Sequence, residues 1–220
     1  MTPMPQRLTP DLCIIGAGSA GLTAAAAAAA FGAEVVLVER DRMGGNCLNH
    51  GCVPSKALIA AAGHAQAVTE APRFGIDVSG FGVEFAKVHD HVQDVIAAIA
   101  PNGSVERFEA MGVRVLKANA IFADARTVIA GEHQIRARRF VIATGSRPVI
   151  PSIPGLDTIP NLTSETLFDD KARPDHLVVI GGGPAGLEMA QAYRRLGSRV
   201  TVIEAGHALR KEDPECVAIV

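Results

Sequence analysis

Residues 11–39 decide the fold, and they read DLCIIGAGSAGLTAAAAAAAFGAEVVLVE. A short apolar run leads into the spacing G-x-G-x-x-G, made by Gly16, Gly18 and Gly21. An alanine-rich stretch follows, and a second apolar run ends at Glu39. Short apolar runs bounded by glycines are typical of buried strands, and alanine is the best helix former. The stretch therefore predicts a strand, a tight turn, a helix and a second strand of an α/β fold.

The same pattern returns in residues 176–204, which read HLVVIGGGPAGLEMAQAYRRLGSRVTVIE and align on residues 11–39 without a gap. Gly181, Gly183 and Gly186 take the places of the three earlier glycines, and Glu204 takes the place of Glu39. A repeat of the strand, the glycines, the helix and the closing acid predicts two units of the same architecture.

Each copy predicts a dinucleotide site. The first glycine permits the tight turn, the second lets the backbone approach a pyrophosphate, and the third lets the helix pack on the strand. The pyrophosphate would meet the N–H groups at the helix N-terminus, and the acid would bind a ribose hydroxyl. Glu204 favours NAD over NADP, because a carboxylate repels a 2′-phosphate, although Arg199, His207 or Arg210 could compensate.

Two cysteines follow the first copy in residues 44–56, GGNCLNHGCVPSK. Five steps along an ideal helix cover about 7.5 Å, and a disulfide needs Cα atoms within about 7 Å. Bridging Cys47 and Cys52 therefore requires a distorted first turn, for which Gly51 supplies the freedom. Pro54 suits the first position of the next helix, and both sulfurs are expected at or just before its N-terminus. The helix dipole there would lower the pKa of a thiol, so the pair is predicted to cycle with a flavin.

Other roles for these cysteines have less support. A zinc site needs about four ligands, and Cys13 and Cys216 are isolated and remote, so no metal site is predicted. A passive structural disulfide would suit a secreted chain, but residues 1–10 do not form a secretory signal or a transit peptide. Cys13 lies in an apolar run and is expected to be an inert core residue.

The bulk composition describes an ordinary globular chain of 220 residues, 48% hydrophobic and 20% charged. A net charge of -2 predicts no nucleic-acid partner and no anionic membrane surface. The uncharged stretch Leu12–Ala33 is long enough to cross a bilayer, but its four glycines, its weakly hydrophobic alanines and the strand-like residues after it favour a buried core. The chain is predicted to be cytoplasmic.

Between the two copies the pattern predicts helices over about 54–68 and 85–100, and short strands near 113–118, 127–129 and 139–143. Pro148, Pro151, Pro154 and Gly155 indicate a linker, which divides the chain into domains 1–150 and 151–220. The last four residues, 217–220, read as an unfinished helix.

The run G-G-x-C-x4-C-x-P-x-K beside two glycine motifs resembles the pyridine nucleotide-disulfide oxidoreductases, the flavoprotein family of dihydrolipoamide dehydrogenase, glutathione reductase and mercuric reductase. The resemblance covers essentially the whole chain. It implies an α/β fold with an FAD-binding Rossmann-like domain of the glutathione-reductase type, which carries a redox-active disulfide. The first part of a Rossmann-like NAD-binding domain follows. The implied cofactors are FAD and NAD(P)H, with NAD favoured.

The resemblance also implies roles for single residues. Cys47 would be the interchange thiol that meets the substrate, and Cys52 would be the thiolate against the flavin. Lys56 would lie near the flavin N5, paired with Glu188. The implied cofactor-binding residues are Gly16, Gly18, Ala20, Gly21, Glu39, Arg40, Gly45, Asn46, Cys47, Lys56, Ala120, Ala143, Thr144, Gly145, Gly181, Gly183, Pro184, Gly186 and Glu204.

The substrate and the completeness of the chain are less determined. Residues 183–193 are similar to the mercuric-reductase-like branch, but no N-terminal metal-binding cysteine pair is present. The expected substrate is a small-molecule or protein-bound thiol or disulfide, or a mercuric-type substrate. Relatives carry a C-terminal domain that forms a homodimer, which is not found here, so the chain is interpreted as part of a longer reductase and inactive alone. The alternatives are a nucleotide-binding fragment without turnover, and a flavin reductase or oxidase in which the cysteines are incidental.

Overall fold

The computed structural model describes residues 6–219 and divides the chain into two compact units. The first unit is the chain up to Val53 together with Val95–Leu167, and the second is Pro54–Asp94 together with the chain from Phe168 onward. The interpretation of residues 1–10 thus falls partly, and that of Val220 wholly, outside the described residues. The division into domains at residue 150 stays a prediction.

Ten strands and seven α-helices are assigned within residues 6–219. The strands are β1 (Gln6–Leu8), β2 (Leu12–Ile15), β3 (Val35–Glu39), β4 (Arg114–Lys117), β5 (Ala120–Asp124), β6 (Thr127–Ala130), β7 (His133–Ile135), β8 (Arg139–Ile142), β9 (His176–Ile180) and β10 (Arg199–Ile203). The helices are α1 (Ser19–Ala30), α2 (Gly45–Asn49), α3 (Cys52–Glu70), α4 (Phe85–Ile99), α5 (Val105–Ala110), α6 (Pro184–Arg195) and α7 (Pro214–Val217). Among these residues no helix combines the length and the hydropathy that a membrane span requires.

The first unit is built on a parallel sheet with the strand order β4-β3-β2-β8. Successive side chains of β2 enter opposite faces of this sheet, as the pleat dictates. Ile14 packs on one face with Ala25 of α1 and Phe108 of α5, whereas Cys13 packs on the other face with Ile135 of β7. Both faces are therefore buried, which explains why β2 and β3 read as continuous apolar runs.

A second sheet of the first unit has the order β1-β7-β6-β5, with antiparallel pairs β5/β6 and β6/β7. The sequence predicted β6 but missed β1, β5 and β7. These strands have only three to five residues, and β5 leaves Ile121 and Phe122 exposed. Such strands carry no clear alternation of buried and exposed residues, and helix α5, with only six residues, was missed as well.

In the second unit β9 and β10 pair in parallel, and α6 connects them. Helices α3 and α4 confirm the two predicted between the glycine motifs, and Tyr193 of α6 packs on Phe85 of α4 with ring centroids 5.6 Å apart. The unfinished helix expected over residues 217–220 does not continue through Ala218 and Ile219, because α7 ends at Val217, and Val220 lies outside the described residues. Asp213 caps the start of α7 by accepting a hydrogen bond from the Glu215 N–H at 2.8 Å.

Candidate functional site

The first glycine loop has a shape that only glycine permits. Gly16 has φ of +105°, and a Cβ atom on it would lie 2.2 Å from the Ala143 carbonyl oxygen. A Cβ on Gly21, in the first turn of α1, would lie 1.8 Å from the Gly16 carbonyl oxygen. The first glycine therefore makes the turn, and the third lets α1 pack on its own loop, as the sequence predicted.

The cysteine segment docks directly on this loop. A Cβ atom on Gly45 would lie 2.6 Å from the Gly18 Cα, so the two backbones meet without any side chain between them. The Gly44 N–H also donates to the Ala17 carbonyl at 2.9 Å. The glycine motif and the cysteine motif, separate in sequence, thus form one structural site.

An open cleft of about 540 Å³ lies at the carboxyl ends of β2 and β3 in the first unit. This is the expected place for a ligand in an open α/β sheet. The predicted cofactor residues that line the cleft are Gly16, Gly18, Glu39, Arg40, Gly45, Asn46, Ala120, Ala143, Thr144 and Gly145. Nine do not line it: Ala20, Gly21, Cys47 and Lys56, of which Lys56 belongs to the second unit, and the five residues of the second copy, Gly181, Gly183, Pro184, Gly186 and Glu204.

Sequence reasoning missed several residues of this cleft. Arg42 and Arg147 line it together with Arg40, and Asn49 and His50 contribute from the cysteine segment. The three arginines offer guanidinium groups to a pyrophosphate, and Glu39, Asp41 and Glu165 in the same lining balance their formal charge. Arg147 follows the Thr144-Gly145 pair by two residues and could have been found from that adjacency.

Glu39, expected to bind a ribose, also holds the glycine loop. Its Oε2 accepts a hydrogen bond from the Ala17 N–H at 2.6 Å, and its Oε1 accepts one from the Asp41 N–H at 2.8 Å. An ionised carboxylate offers about four acceptor positions, so two remain for a ligand. The acid therefore orders the loop and stays available to a ribose.

Cys47 and Cys52 are not joined by a disulfide in the described part of the chain. Cys47 is half-buried inside the five-residue helix α2, and Cys52 is the exposed first residue of α3. The two helices are separated at His50 and Gly51, which is the break in the first turn that the spacing required.

The predicted low pKa of these thiols is wrong for Cys47. The Cys52 side chain hydrogen-bonds Cys47 and raises its pKa, and burial adds to the effect, while a backbone N–H bond from Cys52 opposes it. Cys47 does not lie at the N-terminus of a long helix, so no strong dipole compensates. Pro54 is the third residue of α3 rather than the first, and it is tolerated because the first four N–H groups of a helix have no intrahelical acceptor.

The second glycine loop repeats the turn and the helix packing of the first. Gly181 has φ of +118°, and a Cβ atom on Gly186 would lie 2.2 Å from the Gly181 carbonyl oxygen. Gly183 precedes α6, and Pro184 is its first residue, where a missing N–H is harmless.

The acid that closes the second copy is bound in the same way. Glu204 accepts hydrogen bonds from the Gly182 N–H at 2.7 Å and the Gly206 N–H at 3.1 Å. These bonds, the one from Gly182 first, hold the pKa of Glu204 below its usual value. The five residues predicted for this copy therefore lie together on the β9-α6-β10 motif; they are Gly181, Gly183, Pro184, Gly186 and Glu204.

Lys56 and Glu188 meet within the second unit. The Lys56 Nζ donates to Glu188 Oε1 at 2.7 Å and to Oε2 at 2.6 Å, joining α3 and α6, each at the fifth residue of its helix. The side chains are 60% and 41% exposed. The pair expected from the sequence is thus present, and its exposure makes a purely stabilising role small.

The geometry on its own describes two nucleotide-type glycine loops and one cysteine pair. The family profile described as pyridine nucleotide-disulphide oxidoreductase matches residues 10–220. The chain belongs to this family.

Individual pyridine nucleotide-disulphide oxidoreductases agree with the profile. A mercuric reductase of Bacillus cereus is 38% identical over 206 residues, which are 93% of this chain and 33% of that protein. A dihydrolipoyl dehydrogenase of Acholeplasma laidlawii is 34% identical over 88% of this chain and 59% of its own length. The Cu(II) complex of the HOCl-induced flavoprotein disulfide reductase RclA from Escherichia coli superposes with a TM-score of 0.78 at 29% identity, covering 93% of this chain and 44% of that one.

The chain therefore spans about a third to three fifths of the length of these relatives. Membership in the family implies FAD and a pyridine nucleotide as cofactors. The first unit fits FAD, because its cleft joins a glycine cradle without side chains to three arginines, and its volume lies in the usual range for ligand sites.

Proposed function

We propose that this chain is the part of a flavin-dependent oxidoreductase that moves an electron pair between NAD(H) and a disulfide or dithiol substrate. The observation that carries the proposal is the contact between Gly18 and Gly45, which seats the cysteine segment on the first glycine loop. FAD, when bound in the adjacent cleft, supplies the carrier for the electron pair. The chain's own residues have the tasks of binding, orienting and exchanging thiols.

In the first unit the glycine loop and the arginines would hold the pyrophosphate. The N–H groups at the start of α1 would face the pyrophosphate, which the backbone could approach closely at Gly18. Arg40, Arg42 and Arg147 line the same cleft and would neutralise its charge. Glu39 keeps two acceptor positions for a ribose, as described above.

The cysteine pair would exchange with the substrate. In the forward direction NADH is oxidised to NAD⁺ and releases a hydride, and the Cys47–Cys52 disulfide accepts two electrons and two protons, one of them from solvent. The dithiol then reduces a substrate disulfide by thiol-disulfide exchange and becomes a disulfide again. Cys47 is assigned the attack on the substrate and Cys52 the position against the flavin.

The second glycine loop would bind the nicotinamide dinucleotide, with NAD preferred to NADP. Glu204 is held as an anion by backbone N–H groups, and an anion there repels a 2′-phosphate. Arg210 lies close enough to influence the Glu204 carboxylate, so it is the residue that could weaken this preference. The homodimer implied by the resemblance and the cytoplasmic location predicted from the sequence stay predictions.

The visible absorption spectrum of the purified chain during anaerobic addition of two electron equivalents tests the proposal. We expect a bound flavin spectrum that gains long-wavelength absorbance when Cys52 becomes a thiolate. Changing Cys52→Ser should abolish both this band and disulfide reduction while FAD stays bound. Changing Cys216→Ser is the matched control, because Cys216 is also exposed and lies far along the chain from the pair. A colourless protein would favour a nucleotide-binding fragment that lacks turnover.

A soft metal ion as substrate is the second candidate. Mercuric reductases are among the similar proteins, and two adjacent thiols, one of them exposed, suit a thiophilic ion. NADH would then be oxidised while Hg(II) takes up two electrons. Oxidation of NADH that depends on Hg(II) and is absent with lipoamide or glutathione disulfide would favour this candidate.

A further inference from the structure

The similarity between the two copies continues into the segments that follow Glu39 and Glu204. After Glu39 the chain turns back, and the Gly44 N–H reaches the Ala17 carbonyl at 2.9 Å. After Glu204 it turns back in the same way, and the Leu209 N–H reaches the Gly182 carbonyl at 2.8 Å. In each loop one residue, Ala17 or Gly182, is therefore bound through both of its backbone groups. Its N–H donates to the acid, and its carbonyl accepts from the returning chain.

The residue that makes this return has a left-handed backbone in both copies. Gly44 has φ of +88°, and glycine adopts that value without strain. Leu209 has φ of +54°, and it is the sole residue other than glycine with positive φ in the described part of the chain. A leucine in this region is strained, so surrounding contacts must hold it there. Its own carbonyl accepts the Glu212 N–H at 2.8 Å, so both of its backbone groups are used.

The two copies differ in where they place the small residue. The first copy has Ala17 in the loop and Gly44 in the return, whereas the second has Gly182 in the loop and Leu209 in the return. A Cβ atom on Gly182 would lie 3.2 Å from the Ala208 Cα and 3.2 Å from the Glu204 Cβ and Cγ. The return segment 205–209 therefore packs on the second loop more closely than an alanine there would comfortably permit.

We propose that Leu209 is a positioning residue for the second nucleotide site. Together with Glu204 it fixes both backbone groups of Gly182, so that the glycine loop has its binding shape before the dinucleotide arrives. Binding then needs no reorganisation of the loop, which raises affinity. The proposal rests on the proposed function, because it assigns the second loop to a nicotinamide dinucleotide.

The test compares two substitutions at the same position. Leu209→Gly accepts positive φ and keeps the N–H, so it should retain the bond to Gly182 and bind NADH within about twofold of the original chain. Leu209→Val carries a β-branched side chain that strongly disfavours positive φ, so it should lose the bond and weaken NADH binding by about tenfold. Gly182→Ala, made separately, should weaken binding as well by pushing Ala208 away. NADH affinity is measured by calorimetry, and FAD content by absorbance serves as a control for the first unit.

Amide hydrogen exchange at Leu209 gives a readout that does not depend on turnover. Slow exchange in the original chain and in Leu209→Gly, with fast exchange in Leu209→Val and unchanged FAD content, supports the proposal. Equal NADH affinity in Leu209→Gly and Leu209→Val overturns this inference alone. Failure of the original chain to bind NADH, with Leu209 still protected, overturns the proposed nucleotide and this role with it.

Discussion

Lys56 and Glu188 lie 132 residues apart in sequence, and the Lys56 Nζ bonds both oxygens of the Glu188 carboxylate. The first belongs to α3, directly after the cysteines, and the second to α6, directly after the second glycine loop. The bidentate contact fixes the position of an ammonium group on α3 against α6, within the second unit.

Removing this pair should affect function more than stability. Because both side chains are exposed, Lys56→Met should lower the free energy of unfolding by less than about 1 kcal/mol, as measured by urea denaturation. In the FAD-loaded protein the same change should slow anaerobic flavin reduction by NADH about tenfold or more.

Lys87→Met provides a matched control for that experiment. Lys87 forms an exposed ion pair with Glu84, in the same unit, at 2.9 Å. The Lys87→Met variant should show a similar small change in the free energy of unfolding and no change in the rate of flavin reduction. Equal rates in the Lys56→Met and Lys87→Met variants would show that the first pair has only a surface role.

The reactivity of Cys47 should depend on Cys52. Because the Cys52 side chain is the largest cause of the raised pKa of Cys47, Cys52→Ala should move the alkylation of Cys47 to lower pH. The rate of iodoacetamide labelling of the reduced protein, followed by mass spectrometry across a pH series, measures this shift. A Cys216→Ala variant should leave the profile in place, and an unchanged midpoint in Cys52→Ala would contradict the assigned cause.

The third glycine of each motif should not tolerate a side chain. Gly186→Ala places a Cβ atom on the Gly181 carbonyl oxygen, so we expect it to destabilise the second unit by about 3 kcal/mol or more. Gly63→Ala is the control, because Gly63 is also helical, belongs to the same unit and has no atom within 4 Å of an added Cβ. That change should stabilise α3 by about 0.5 to 1 kcal/mol. The unfolding temperatures of the two variants measure this difference. A higher unfolding temperature for Gly186→Ala than for Gly63→Ala would refute the packing argument.

Cys13 should make the protein less stable in alkaline solution. Burial raises its pKa from 9.0 to about 12, so the folded protein keeps the thiol proton at pH values where the unfolded chain has lost it. The stabilisation is complete below about pH 9 and is lost toward pH 12, with a slope of about 1.4 kcal/mol per pH unit. In urea titrations between pH 8 and 11, the free energy of unfolding of Cys13→Ala should fall less steeply with pH than that of the original chain. Cys216→Ala should keep the original slope, and parallel curves for all three proteins would contradict the prediction.

Local patterns in the sequence were enough to find much of the fold. Residue spacing predicted the two glycine motifs, helices α3 and α4 and three of the short strands. A turn with positive φ requires glycine and a buried strand requires apolar residues, so both are visible in the sequence. Strands β1, β5 and β7 give no such signal, since they have only three to five residues each. Strands β5 and β7 pair with their neighbour β6, whereas β1 pairs with β7 far along the chain. Of the three arginines of the first cleft, Arg40 was predicted and Arg42 and Arg147 were missed. Those two are 105 positions apart in the numbering and meet only through the sheet.

The sequence by itself determined the α/β architecture, the internal repeat and the family, because each rests on the identity and spacing of neighbouring residues. Only the tertiary structure decided that Gly45 touches Gly18, that the Cys52 side chain raises the pKa of Cys47, and that Leu209 completes the second loop. Those three features depend on distances between backbone groups or thiols. Such distances are set when strands pair and helices pack, so residue spacing along the chain cannot supply them.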